Sequence, residues 1–229
     1  MEGTLAKAMI AAWILAGGLG SLGKTPSKAG IEPDLKVVAR VYDYAHVGPT
    51  TIALAEREAE GIFRHAGLSV EWQNISVASG ESGSAASLPS TDSVTGVPSV
   101  FLRITPSSMS PIDHRETLGC ALASSDDLPG SAAWVFSDRI EAEAGLGIAT
   151  SYQILGHAMA HEIGHLLLGR NAHSVAGLMR ANWRVQEYIL MGERSLRFTP
   201  EQAKTMRDKL KQCVQSHASP EVAGAAVRR

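Results

Sequence analysis

Apolar and polar residues alternate through LKVVARVYDY, residues 35–44, with the spacing of a β-strand that has one buried face. The positions predicted to be buried are Val37, Ala39 and Val41. Between Pro49 and His65 the spacing becomes helical, with apolar residues three or four positions apart and charged residues between them. A second short strand follows at Leu68–Trp72. Two strands joined by a helix favour parallel pairing through a right-handed crossover.

The next strands follow residues 74–98, a segment rich in Ser, Gly, Thr and Pro that we interpret as a flexible loop. They are Ser99–Thr105, a weakly extended segment at residues 117–124, and Ala132–Ser137. A short helix is expected at Asp138–Ala144.

Helices dominate the remaining pattern. An apolar helix begins near Thr150 or Ser151, either of which can serve as its N-cap. A later helix has Thr199 as N-cap, Pro200 at its first position and Gln202 at its third, and extends to about Cys213. Its apolar stripe, which should pack on the domain, is Ala203, Met206, Leu210 and Val214. Strands alternating with helices predict an α/β fold.

The apolar helix contains the sequence HEIGH at residues 161–165. Since four residues make slightly more than one helical turn, His161 and His165 face the same side. Two neutral imidazoles suit a tetrahedral Zn²⁺ that keeps one position open for water and lowers the pKa of that water to about 7. Glu162 lies beside the first histidine and can take the proton from that water. This HExxH arrangement is typical of zinc peptidases.

Two residues compete to be the third metal ligand. His173 follows Gly169, where the helix is expected to end, and precedes the small apolar segment Ala176–Met179. Glu187, which lies 22 residues after His165, is the alternative, because a downstream helical glutamate supplies the third ligand in thermolysin-like peptidases. We favour His173 and keep Glu187 as its rival.

Two other residues near the motif are expected to pack rather than react. His157 lies one helical turn before His161 and is expected in the core or behind the metal ligands. A fourth protein ligand would fill the position that a catalytic site leaves for water. Tyr188 is expected to pack in the core.

The helical HExxH, the glycine, the third histidine and the methionine-containing turn together resemble the metzincin peptidases, and residues 173–179 are most similar to the matrixins. The similarity covers about twenty residues. The chain has three residues between His165 and Gly169 and three between Gly169 and His173, where metzincins have two in each place. The resemblance implies a twisted mixed sheet, an active-site helix, a Met-turn and a C-terminal helix. It also implies that residues 118–124 form an antiparallel edge that binds an extended substrate.

Composition narrows the classes of partner. The 229 residues suit one domain, which we place at residues 35–216, and 45% of them are hydrophobic. A formal net charge of −2 argues against a nucleic-acid partner. The two cysteines, Cys120 and Cys213, could pair in an exported protein, although their spacing does not establish a disulfide. We expect a monomer.

The chain ends have their own predicted roles. An apolar segment from Ala8 to Leu19 follows Lys7, and it predicts a signal peptide or an uncleaved membrane anchor within residues 1–23. Residues 24–34 are expected to be a linker, and residues 217–229 a disordered tail. The protein is accordingly expected to be secreted or periplasmic, or else tethered to a membrane by its N-terminal segment.

These patterns predict a zinc-dependent peptidase that acts on a peptide or protein substrate. Zn²⁺ is expected to be bound by His161, His165 and His173, with Glu162 as the general base. One alternative is a zinc hydrolase that cleaves a non-peptide amide. The other is a zinc-stabilised binding protein without turnover, against which Glu162 argues, because a structural site has no use for a base.

Overall fold

A computed structural model of the chain describes residues 35–77, 97–111, 117–122, 132–169 and 172–218. All of them belong to one compact unit that spans residues 34–229. The predicted signal or anchor segment and the linker lie outside these ranges, as does most of the predicted tail. Within the described ranges, no helix is long and apolar enough to cross a membrane.

The described residues form a mixed sheet of five strands in the order β2-β1-β3-β5-β4. The strands are β1 (Lys36–Asp43), β2 (Ser69–Ile75), β3 (Ser99–Thr105), β4 (Gly119–Leu122) and β5 (Ala132–Phe136). β1 pairs in parallel with both β2 and β3, and β3 pairs in parallel with β5. β4 is antiparallel to β5 and lies at the edge of the sheet. The predicted α/β class is confirmed, and so is the parallel pairing of the first two strands.

In the part of the chain that the structure describes, five α-helices accompany the sheet: α1 (Pro49–His65), α2 (Ser137–Ala144), α3 (Ser151–Leu168), α4 (Val185–Gly192) and α5 (Pro200–Ala218). The three predicted apolar positions of β1 are 0–1% exposed and share one hydrophobic cluster with the buried faces of α1 and α3. Helices α1 and α3 pack closely at Gly156, where an added Cβ would lie 2.5 Å from the Ala55 carbonyl oxygen. The predicted alternation in β1 therefore places the sheet against the helix that carries HEIGH.

Several boundaries differ from prediction. β2 extends to Ile75, past the expected Trp72, and the predicted loop therefore begins later, with residues 78–96 outside the described chain. α5 extends to Ala218, into the segment expected to be a disordered tail. Val214 was predicted in the buried stripe of α5 but is 36% exposed. The stripe is buried only as far as Leu210, one turn earlier. The short helix α4 was not predicted.

Candidate metal centre

Helix α3 is held in the core along almost its whole length. It begins at Thr150, as predicted, with a capping box in which the Gln153 side chain accepts a hydrogen bond from the Thr150 backbone N–H. Between Gln153 and Leu167, His165 alone is not buried. The active face of this helix therefore reaches solvent at the second histidine of HEIGH.

The structure brings three histidines together at that point. The Nε2 atom of His165 is 3.1 Å from Nε2 of His161 and 3.1 Å from Nε2 of His173. The three candidate ligand nitrogens all lie within 4.8 Å of one another. Nitrogens bound to one Zn²⁺ at about 2.0–2.1 Å in tetrahedral geometry are about 3.3 Å apart, which is close to the two separations of 3.1 Å, and three imidazole nitrogens are a donor set that this ion takes. His161 is buried and His173 exposed, which leaves the cluster open on one side.

The carbonyl oxygen of Leu178 fixes the orientation of His161. It accepts a hydrogen bond of 2.8 Å from Nδ1 of His161. Because a carbonyl oxygen can only accept, Nδ1 carries the proton and the Nε2 lone pair faces the other two histidines. The same oxygen accepts a second hydrogen bond, 3.0 Å long, from Nε1 of Trp183. The Trp183 ring meets the His161 ring edge to face, with centroids 5.6 Å apart.

The electrostatic environment keeps these imidazoles neutral at ordinary pH. Burial lowers the pKa of His161 to about 4, although its hydrogen bond to Leu178 acts in the opposite direction. Burial also lowers the pKa of His165 to about 3, with further contributions from the other two histidines. Burial lowers the pKa of His173 as well. Neutral imidazole is the protonation state that binds a metal ion.

Glu162 lies on the same helix and is 5% exposed. Its Oε2 atom has no hydrogen-bond partner in the described part of the chain, and burial raises the pKa of the carboxyl to about 8. Burying a carboxylate oxygen without a hydrogen-bond partner destabilises the folded protein. A ligand that donates a hydrogen bond to Oε2 would remove this penalty. The carboxyl also lies against β4, because an added Cβ on Gly119 would be 2.8 Å from both Cγ and Oε1 of Glu162.

Helix α3 ends in a backbone conformation that glycine permits. Gly169 ends the helix with φ 90° and ψ −162°, and its N–H donates to the His165 carbonyl oxygen at 2.9 Å. A positive φ of this kind is rarely adopted by other residues. Beyond His173, the N–H of Ser174 donates to the Met179 carbonyl oxygen at 2.9 Å, and an isolated bridge joins Ser174 to Arg180.

Met179 lies directly under the histidine helix. It is fully buried, and its Sδ atom would be 2.7 Å from a Cβ added to Gly164, the residue before His165. The aromatic ring of Phe198 approaches the same glycine from nearby, at 2.8 Å from the added Cβ. A side chain at position 164 would therefore push the helix away from the turn beneath it.

The alternative ligand, Glu187, is not part of the histidine cluster. It is the third residue of α4, where its Oε2 accepts a hydrogen bond of 2.8 Å from the Arg184 backbone N–H. Its Oε1 is 3.3 Å from Nη1 of Arg180. Both carboxylate oxygens are thus engaged in capping and an ion pair.

The other two residues discussed from sequence are also buried away from the cluster. His157 is 1% exposed, and its Nδ1 donates to the Gln153 carbonyl oxygen at 2.8 Å. Tyr188 belongs to the core and packs edge-on against Trp183, with ring centroids 6.4 Å apart. Burial and a hydrogen bond with Glu143 raise its pKa.

Sequence reasoning missed the groups that support the cluster. The carbonyl of Leu178, the indole of Trp183 and the missing side chain of Gly119 all act through contacts between distant parts of the chain. No sequence periodicity marks such contacts. The two cysteines are not joined by a disulfide: Cys120 is buried in β4, and Cys213 lies in α5.

No protein-family model matches the sequence, and no curated protein matches it either. Among solved structures, the chain is similar to archaemetzincin from Methanopyrus kandleri, with a TM-score of 0.49 and 14% identity over 79% of this chain and 99% of that chain. It is also similar to a zinc-dependent peptidase from Methanocorpusculum labreanum, with a TM-score of 0.46 and 14% identity over 74% of this chain and 99% of that chain. The case for a function rests on the side chains themselves.

Proposed function

We propose that the protein is a zinc-dependent peptidase whose metal ligands are His161, His165 and His173. The observation that carries this proposal is the convergence of three neutral Nε2 atoms beside a buried carboxyl with an unpartnered oxygen. Three protein ligands leave a fourth position of a tetrahedral ion open, which is the arrangement of catalytic zinc sites. A structural site would be closed by a fourth side chain, and no fourth His, Cys, Asp or Glu joins the group within the described ranges.

Each residue of the site has a distinct role in this proposal. The histidines hold the ion, and Leu178 orients the first of them through its carbonyl oxygen. When bound, zinc polarises a carbonyl group and makes water a stronger acid. Glu162 would take a proton from the attacking water at its carboxylate and give it to the leaving nitrogen. In the metal-free protein, burial raises the pKa of Glu162. A positive charge bound by the three histidines would lower the pKa of Glu162 again, because it favours the ionised carboxylate.

The edge strand β4 favours a peptide over a small amide as substrate. Among the strands that the structure describes, β4 pairs with β5 alone, and we propose that its other edge takes the backbone of an extended chain. Gly119, at the start of β4, contacts Glu162, so a peptide paired with this strand would pass the general base. We propose that residues 118–124, of which 118–122 lie in the described part of the chain, bind the substrate in this way. We also propose that Ala176–Met179 serve as a matrixin-like Met-turn beneath the metal.

The first test compares wild type with Glu162→Gln, which preserves the shape of the side chain and removes the base. Wild type is expected to contain one zinc per chain and to cleave an unfolded protein such as casein. Glu162→Gln should keep its zinc and lose about 10²–10⁴-fold in rate. Zinc stoichiometry by mass spectrometry and cleavage of a fluorescent casein measure the two properties separately.

Other outcomes of this test identify the alternatives. Turnover of small amides without cleavage of peptides, in wild type only, would support the non-peptide hydrolase. Tight zinc binding without turnover of either substrate class would support a binding protein. A zinc-free wild type, after purification without chelators and addition of zinc, would refute the metal site. Loss of tight zinc in Glu187→Ala but not in His173→Ala would overturn our choice of third ligand.

A further inference from the structure

The third histidine is the least enclosed of the three, and it is held mainly through its neighbours in the chain. His173 is exposed, whereas His161 is buried. On either side of His173, the side chain of Gln202 holds the loop. Its Nε2 donates one hydrogen bond of 3.2 Å to the Ala172 carbonyl oxygen and another of 3.2 Å to Oγ of Ser174. Two hydrogen bonds from one amide thus fix both flanks of the candidate ligand.

The opposite end of the same amide has a different task. Oε1 of Gln202 accepts a hydrogen bond of 3.0 Å from the Thr199 backbone N–H, and the Gln202 backbone N–H donates to Oγ1 of Thr199 at 3.2 Å. These two bonds form the capping box at the start of α5. The side-chain oxygen of Gln202 therefore caps the start of α5, while the side-chain nitrogen holds the residues on either side of His173. A substitution can remove one of these two interactions and keep the other.

Helix α5 is firmly anchored, so it can serve as a reference point for the loop. Met206 and Leu210 are 0–1% exposed in the core. Lys209, on the same side of the helix as Gln202, donates to the Leu168 carbonyl oxygen at 2.9 Å, at the last residue of α3. The described parts of the segment between α3 and Ser174 are therefore tied to α5 at both ends.

We propose that Gln202 is a positioning residue for His173, so that the C-terminal helix sets the affinity of the metal site. This inference rests on the proposed role of His173 as a ligand. An exposed ligand on a loop must be ordered before it binds, and a hydrogen bond that orders it in advance removes that cost from binding. The Ser174 hydroxyl donates its own hydrogen to the Ala176 carbonyl oxygen at 2.7 Å, so its Oγ is left to accept the hydrogen bond from Nε2 of Gln202.

The discriminating variant is Gln202→Glu. Its carboxylate can still accept a hydrogen bond from the Thr199 N–H and is favoured at a helix N-terminus, so the metal-free protein should lose less stability than in the Gln202→Met variant. It cannot donate, and it would set an oxygen against the Ala172 carbonyl. We expect zinc affinity to fall about 10–100-fold, the range found when an outer partner of a ligand is lost. An added negative charge would by itself raise affinity for a cation, so a fall cannot be a charge effect.

Two companion variants complete the dissection. Thr199→Ala removes part of the capping box and leaves the amide in place, so stability should fall while zinc affinity stays within about twofold of wild type. Gln202→Met removes both functions without changing charge, and both quantities should fall. Zinc affinity is measured by competition with a chelating dye on the full chain, and stability by urea unfolding of the metal-free protein.

A double-mutant cycle with His173→Ala tests whether Gln202 acts through His173. When His173→Ala is already present, adding Gln202→Glu should not lower zinc affinity, because the loop no longer carries a ligand and only the effect of the added charge remains. An equal loss in both backgrounds, or wild-type affinity in Gln202→Glu and Gln202→Met, would overturn the inference while leaving the metal site intact. If His173→Ala binds zinc as tightly as wild type, the proposed ligand set itself is wrong.

Discussion

Gly119 offers a direct test of how closely the edge strand is fitted to the site. A Cβ added at this position would lie 2.5 Å from the Trp134 carbonyl oxygen and 2.8 Å from Cγ and Oε1 of Glu162. Real Cβ atoms do not approach other atoms so closely. The Trp134 oxygen belongs to the backbone of β5, next to β4 in the sheet, so it cannot simply rotate away. Gly119→Ala must therefore displace β4, the Glu162 side chain, or both.

The size of the effect follows from these contacts. Overpacking a well-filled interior by one methyl group costs about 1–3 kcal/mol. In a chain of this length each 1 kcal/mol corresponds to roughly 2–4 °C in Tm, so Gly119→Ala should lower Tm by roughly 2–12 °C. Because the nearest side chain that the added methyl group meets is that of Glu162, peptide cleavage should fall strongly while zinc affinity changes little.

Gly61→Ala is the matched control. Gly61 lies inside α1, and an added Cβ there meets nothing within 4 Å. Alanine in a helix interior is about 0.5–1 kcal/mol more stable than glycine, so Tm should rise by roughly 1–4 °C with activity unchanged. Calorimetry of the metal-free proteins, zinc titration and casein cleavage give the three readouts. If Gly119→Ala has wild-type stability and wild-type cleavage, Glu162 does not rest against β4 and the argument fails.

Two further predictions concern the surroundings of the site. Trp183→Phe keeps an aromatic ring beside His161 but removes the donor to the Leu178 carbonyl oxygen, so zinc affinity should fall by up to about tenfold. The same change at Trp72, in β2, should leave affinity unaltered, and an equal effect at both positions would refute this role. Burial, helped by the nearby Glu162, raises the pKa of Cys120 from 9.0 to about 12. In a Cys213→Ser background at pH 8, the native thiol should therefore react with a disulfide reagent roughly a thousandfold more slowly than in guanidinium, and comparable rates would contradict its burial.

Local patterns predicted the elements whose spacing is regular and whose ends carry clear signals. α1 begins at Pro49 and ends at His65, as the helical spacing and the following Gly67 indicate. The capping box at Thr199 also forms as predicted. In each case the deciding interactions lie within four residues of one another, so the sequence alone contains them.

The contacts that complete the candidate site could not be predicted in that way. Gly119 and Glu162 are distant in sequence, and their contact depends on β4 pairing with the far side of β5. α4 was missed because it has only eight residues and takes its stability from buried contacts such as Tyr188 and Met191. Pairing partners and tertiary burial are properties of the assembled sheet, and single-sequence periodicity does not encode them.

The unusual spacing before His173 shows how the fold can compensate for a change in a motif. One extra residue in a helix rotates its exit by about 100°, which would direct a loop of ordinary conformation away from the first two histidines. Here Gly169 adopts a φ of 90°, and Gln202 holds the two flanks of His173 from 30 and 28 residues further along the chain. Ser174 is fixed in addition by the Met179 carbonyl oxygen. The position of the third imidazole is therefore determined by α5 and the turn beneath α3, so the altered spacing is no argument against a three-histidine site.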